Sequence, residues 1–66
     1  MEWKKTETIH EDLNDGVIDD VLFVEIGSDK CMYGYFDRRF FFSYCGEQIF
    51  RKEHISHYCV IKMPYN

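Results

Sequence analysis

The sequence has one proline, four glycines, three cysteines and no long hydrophobic run, and its basic residues are outnumbered by its acids. Each shortage excludes something. No stretch approaches the roughly 20 apolar residues that a membrane span needs. The polar start Met1-Glu2-Trp3-Lys4-Lys5 lacks the apolar stretch of a secretory signal, so a cytoplasmic location away from membranes is expected. Cys31, Cys45 and Cys59 are odd in number and irregular in spacing, which fits reduced thiols rather than a disulfide framework. With so little proline and glycine there is no linker-like segment, and residues 1–66 read as one small domain. Eight basic residues stand against twelve acidic ones, a net charge of −4, the wrong overall sign for gripping a nucleic-acid backbone.

What the chain has is aromatic mass. Six Phe, five Tyr and one Trp make up 18% of it, and 45% of its residues are hydrophobic, which reads as globular. A domain this small buries only about 60% of the surface its unfolded chain exposes. Large rings, each able to bury roughly 150–250 Å², compensate for that. The charge is uneven: residues 1–29 carry nine acids and two lysines, and residues 30–66 carry six basic and three acidic residues. This pattern is that of an acidic loop beside a sheet with scattered basic residues.

Along the chain, the first twenty residues are polar, with Trp3 and Ile9 as candidate anchors and a short helical turn expected near residues 9–13. Asn14-Asp15-Gly16 is a strong turn signal. Val21–Ile26 is the clearest strand, with Leu22, Val24 and Ile26 on one face and Val21, Phe23 and Glu25 on the other. Gly27-Ser28-Asp29 reads as a hairpin turn, and Cys31–Phe36 as a second strand in which Gly34 marks a bulge or a close backbone approach. Asp37-Arg38 is a tight turn, and Arg39–Tyr44 is a third strand with Phe40, Phe42 and Tyr44 on one face. After a turn at residues 45–48 come a short strand, Ile49–Arg51, and a last one, Ile55–Met63, stopped by Pro64. The expected fold is mostly β: a small antiparallel meander or curled sheet with one helical turn near the N-terminus. No helical stripe of ten or more residues appears, so a βαβ fold is not expected.

Residue clusters that carry chemistry are sparse. His54, His57 and Cys59, with His10, Cys31 and Cys45 elsewhere, are the nearest approach to a zinc ligand set, but no Cys-x-x-Cys pair exists. On a strand His57 and Cys59 share a face and His54 does not. Free cysteines behave mostly as small buried hydrophobes, so no metal and no cofactor are expected, and a zinc-stabilised module is kept only as an alternative. The run from Asp12 to Gly16 is one residue short of calcium-loop spacing, and Phe23 stands where the bidentate Glu belongs. No nucleophile–base pattern or phosphate-cradling loop occurs, so no enzymatic activity is expected.

Two binding surfaces remain. Tyr33, Tyr35, Phe41 and Tyr44, near Arg38, Arg39, Arg51 and Lys52, could form a basic aromatic face that stacks single-stranded bases. The acidic run Glu11, Asp12, Asp15, Asp19 and Asp20 could dock on a basic partner. An exposed aromatic patch would add hot spots to a protein interface. Protein binding leads, with Asp15, Asp19, Asp20, Tyr33, Tyr35, Arg38 and Arg39 as the candidate residues. Open sheet edges also favour a homodimer.

The order of motifs is familiar. Trp3, the Leu13-Asn14-Asp15-Gly16 turn, the strand Val21–Val24, Tyr35-Phe36-Asp37 before an aromatic strand, Ser56-His57-Tyr58 and Met63-Pro64 follow one another. This order resembles the domain-of-unknown-function family numbered 551, short proteins common in bacteriophages and prophages. That family has Leu-Pro at Leu13-Asn14, Gly at Arg38, and a Thr-His-Trp-Met-Pro-like ending. The resemblance implies a small β-rich fold and a phage or prophage setting. It carries over no activity and no functional residue.

Overall fold

The computed structural model describes residues 2–46 and 48–61. Its order is β1 (Lys4–Lys5), a 3-10 helix (Thr6–Asp12), β2 (Val17–Glu25), β3 (Cys31–Asp37), β4 (Phe40–Ser43), β5 (Ile49–Arg51), a second 3-10 helix (Lys52–His54) and β6 (Ile55–Val60). All six strands form one sheet in the order β1-β6-β2-β3-β4-β5, and each neighbouring pair is antiparallel. The fold is the expected mostly-β curled sheet. β2 to β5 run as a meander, and β6 then returns to lie between β1 and β2.

That return sets the curvature. β6 lies four places from β5 in the sheet, roughly 19 Å away in a flat sheet at about 4.8 Å per strand. The connection between them is the three-residue helix Lys52–His54, which rises only about 6 Å. The sheet therefore rolls until the β5 margin comes near the start of β6. The linking helix is pinned on both sides: Lys52 N donates to Arg39 O at 3.1 Å, and Ile26 N donates to His54 O at 2.8 Å.

Rolling makes one face concave, and the core fills it. Ile9, Ile18, Val21, Phe23, Phe36, Phe41, Ile55 and Tyr58 form one buried cluster, with Phe50 and Met32 packed against it. Phe23 sits at its centre, 4.8 Å from the Phe41 ring and 5.8 Å from Phe50 on the far margin. Of the two faces open for Val21–Ile26, the one carrying Val21 and Phe23 is inside, while Ile26 falls beyond the strand and is exposed.

Several boundaries differ from the sequence reading, each for a local reason. β2 begins at Val17 rather than Val21. Asp15 (φ 57°) and Gly16 (φ 82°) make a tight turn of the type that suits twisted strands, and Asn14 and Val17 bridge directly across it. Ile18 and Val21 are both buried although three residues apart. A register shift between them absorbs the odd residue and hides the period-2 signal. Asp19 and Asp20 thus belong to a bulged strand, not to a loop. The N-terminal helix is longer than one turn, and Trp3 is exposed while Ile9 is the anchor. The turn residue Glu47 and the end of the last expected strand, with Pro64, lie outside the described residues.

A polar network ties the N-terminal helix to the sheet. The ring of Tyr58 is buried in the core, and its hydroxyl donates to the Asp12 carboxylate, with the Thr8 carbonyl oxygen 3.4 Å away. Lys4 Nζ donates to the same carboxylate at 3.1 Å. Asp12, read from the sequence as part of an acidic docking surface, is instead held inside the fold.

Two predictions follow from these contacts. A Cβ at Gly34 would lie 1.7 Å from the Phe42 carbonyl oxygen, so Gly34→Ala should cost roughly 3 kcal/mol in urea unfolding; a loss under about 1 kcal/mol, the usual reach of a mild surface change, would contradict the close approach. Burial, and then the Asp12 carboxylate, push the Tyr58 phenol up to about 12 from 10.0. The folded state keeps that proton where an unfolded tyrosine loses it, so this stabilisation is intact below about pH 10 and disappears as pH rises to about 12. Tyr58→Phe should flatten the fall in urea midpoint across that window, and an unchanged slope would exclude Tyr58 as a source.

Candidate binding surface

Rolling the sheet inward also produces a convex face, and β3, β4 and β5 load it with rings. Gly34, Phe36, Phe41, Ser43 and Phe50 point to the core side, so the alternate residues Tyr33, Tyr35, Phe40, Phe42, Ile49 and Arg51 face outward. Register puts them side by side: Tyr35 opposite Phe42, Phe42 opposite Ile49, and Phe40 opposite Arg51. Tyr44, just past β4, donates its N–H to Tyr33 O at 3.0 Å and continues the row.

The rings form a chain of contacts. Phe42 and Tyr35 stack at 4.7 Å and 10°. Tyr44 lies 5.6 Å from Tyr35 and 4.9 Å from Tyr33, and Phe40 lies 6.4 Å from Phe42. The faces turned to one another are used up, and the outward edges remain open. Tyr33 is 41% exposed, Tyr44 51% and Ile49 61%. Contiguous apolar surface of this kind on a small domain marks an interaction site more often than chance exposure does.

The bulge in β2 supplies the polar margin. Tyr33 Oη donates to Asp20 Oδ1 at 2.7 Å, and Tyr44 Oη donates to the Asp19 carbonyl oxygen at 2.7 Å. Both phenols are pushed above their ordinary value, Tyr33 chiefly by the Asp20 hydrogen bond and Tyr44 chiefly by burial with the Asp20 and Asp19 charges behind it. The two hydrogen bonds hold these rings in place before any partner arrives. Arg38 and Arg39 stand at the β3–β4 turn, at one end of this face, and Arg51 lies on β5. Arg38 takes a positive φ of 61° at the β3–β4 turn and donates its N–H to Gly16 O at 2.7 Å, which brings the Asp15 turn beside this hairpin tip. Its 3.7 Å approach to Asp37 is an exposed ion pair of little energetic weight.

The structure thus joins Tyr33, Tyr35, Asp19 and Asp20 in one surface, with Arg38 and Arg39 at its end and Asp15 next to them. It removes Phe41, which is fully buried in the core. It adds Phe40, Phe42 and Ile49. The shared face of Phe40, Phe42 and Tyr44 was legible from alternation, but their place beside Tyr33 and Tyr35 depends on strand register. The zinc candidates are dispersed: His54 is exposed in the linking helix, His57 is exposed on β6, and Cys59 is buried. Among the described residues no three His, Cys, Asp or Glu side chains gather as a metal site. Among those residues, too, no helix is long and apolar enough to cross a membrane.

A second concavity of about 380 Å³ lies between the N-terminal helix and the start of β6, floored by Ile9 and Ile55. Thr6 borders it, but the Thr6 hydroxyl oxygen is buried without a hydrogen-bond partner.

Asp20→Asn removes the charge that opposes ionisation of Tyr33. Ultraviolet titration should show the Tyr33 phenol moving down toward the ordinary tyrosine value, with a smaller fall for Tyr44, and a titration identical to the wild type would contradict the Tyr33–Asp20 pairing.

Compared with protein-family models, with curated proteins and with solved structures, the chain matches none.

Proposed function

We propose that this protein is a non-enzymatic binding module that docks on another protein through the convex face of β3, β4 and β5, as a phage- or prophage-type accessory protein of the cytoplasm. The observation that carries the docking reading is the set of exposed rings Tyr33, Tyr44 and Phe40, joined through the half-buried Tyr35 and Phe42, with the Tyr33 and Tyr44 hydroxyls already fixed by Asp20 and by the Asp19 carbonyl. Tyrosines held this way offer large contact area at low entropic cost on binding. The phage or prophage setting rests on the motif order from Trp3 to Met63-Pro64 alone.

A single-stranded nucleic acid is the second reading, favoured by Arg38, Arg39 and Arg51 beside the rings. Two features weigh against it. Tyr35 and Phe42 stack on each other, which leaves no gap for a base between them. Asp19 and Asp20 border the same face and repel phosphate.

Tyr33→Ala/Tyr44→Ala should weaken capture of the bound protein from nuclease-treated bacterial lysate by roughly tenfold or more, as loss of aromatic hot spots does. Equal capture by wild type and variant would rule out this face. A labelled oligonucleotide shifted in a gel at low salt, where phosphate binding is strongest, would transfer the surface to nucleic acid.

A further inference from the structure

Resting on that docking reading, we infer that the hollow between Arg39 and Arg51 receives a carboxylate side chain of the partner, so that the face takes an extended, largely apolar peptide segment with one acidic residue at the β5 side. Arg51 sits directly opposite Phe40 in the β4–β5 ladder, and Arg39 immediately precedes Phe40. The two arginines, Phe40 and Glu53 line a hollow of about 280 Å³. Both arginines are exposed, and among the described residues neither has an ion-pair partner.

Arg39 and Arg51 outnumber Glu53, the one acid lining the hollow, which among the described residues forms an ion pair with neither, so the hollow keeps a net positive charge beside Phe40. Like charges on adjacent strands repel. A carboxylate between them accepts hydrogen bonds from both forks and removes that repulsion. Phe40 gives the neighbouring apolar atoms of the bound segment a floor that continues onto Phe42. The choice of peptide over nucleic acid comes from the opposite margin. Asp19 and Asp20 on β2 lie three strands from β5, about 14 Å at ordinary spacing. A phosphate chain crossing the face would meet them, whereas a peptide with one acidic residue at the β5 side does not.

The test is selection from a random dodecapeptide display library on the full-length protein, followed by fluorescein-labelled synthetic copies of the enriched sequence. The expected consensus holds Asp or Glu beside an aromatic or aliphatic residue. The synthetic peptide should bind Arg39→Glu/Arg51→Glu at least tenfold more weakly than wild type. Changing its acid to the amide should cost a similar factor on wild type and nothing further on the variant. Circular dichroism melts establish that the variant folds, and Arg39→Gln/Arg51→Gln replaces it if it does not. A consensus without acids, or binding indifferent to the arginine changes, overturns the carboxylate hollow while leaving the docking face intact. Binding indifferent to Tyr33→Ala/Tyr44→Ala overturns the docking face itself. No enrichment, or tighter binding of a labelled oligothymidylate lost on the arginine variant, overturns the peptide proposal.

Discussion

A three-residue helix must carry the chain from one margin of a six-stranded sheet back to the strand that pairs with β2. Only a rolled sheet permits that, and rolling requires a place where two strands press together. Gly34 is that place: a side chain there would collide with the Phe42 backbone. The core follows from the roll. Rings from β2, β3, β4, β5 and β6 meet on the concave side, so that Phe23 on β2 touches Phe50 on β5. A flat sheet of the same sequence would leave these rings on an open surface. The Tyr58–Asp12–Lys4 network then fixes the N-terminal helix along β6, and Ile9 reaches the same core.

The roll also divides the aromatic residues. Phe23, Phe36, Phe41, Phe50 and Tyr58 serve the core, while Tyr33, Tyr35, Phe40, Phe42 and Tyr44 lie on the convex side. A chain this short gains stability from every ring it buries, so leaving as many outside as inside points to a use other than folding. The outer rings are also better organised than mere exposure demands. Two hydroxyls are tied to β2, at the bulge where the strand departs from regular pairing, and Arg51 stands on β5, three strands from Asp19 and Asp20. This arrangement gives direction to whatever binds.

Much of the architecture was legible in the sequence. Alternation and β-branched content locate β2 through β5, the Asn14-Asp15-Gly16 signal marks a real turn, and of the two readings open for Gly34, a bulge or a close backbone approach, the structure shows the close approach. What the sequence concealed was non-local. The bulge at Asp19 and Asp20 broke the period-2 pattern and hid the first four of the nine residues of β2. Two-residue β1 has no pattern of its own and exists because β6 offers an edge. The 3-10 helix at Lys52–His54 carries no buried residue, so no periodicity announces it. The candidate surface was half visible for the same reason. Its tyrosines and acids were singled out, but Phe41 was placed on it and Phe42 left off, because alternation gives relative faces and only the closed core decides which face is inside.

The central claim is that one face of the sheet folds the protein and the other is free to bind. Urea unfolding of the triple variant Tyr33→Thr/Tyr44→Thr/Ile49→Thr against Phe41→Ala tests it most directly. The account predicts that the three outer changes together cost less than the single core change, which should lose about 3–5 kcal/mol. A triple variant as unstable as Phe41→Ala, or unfolded, would mean that the outer rings are part of the folding core and would contradict the division.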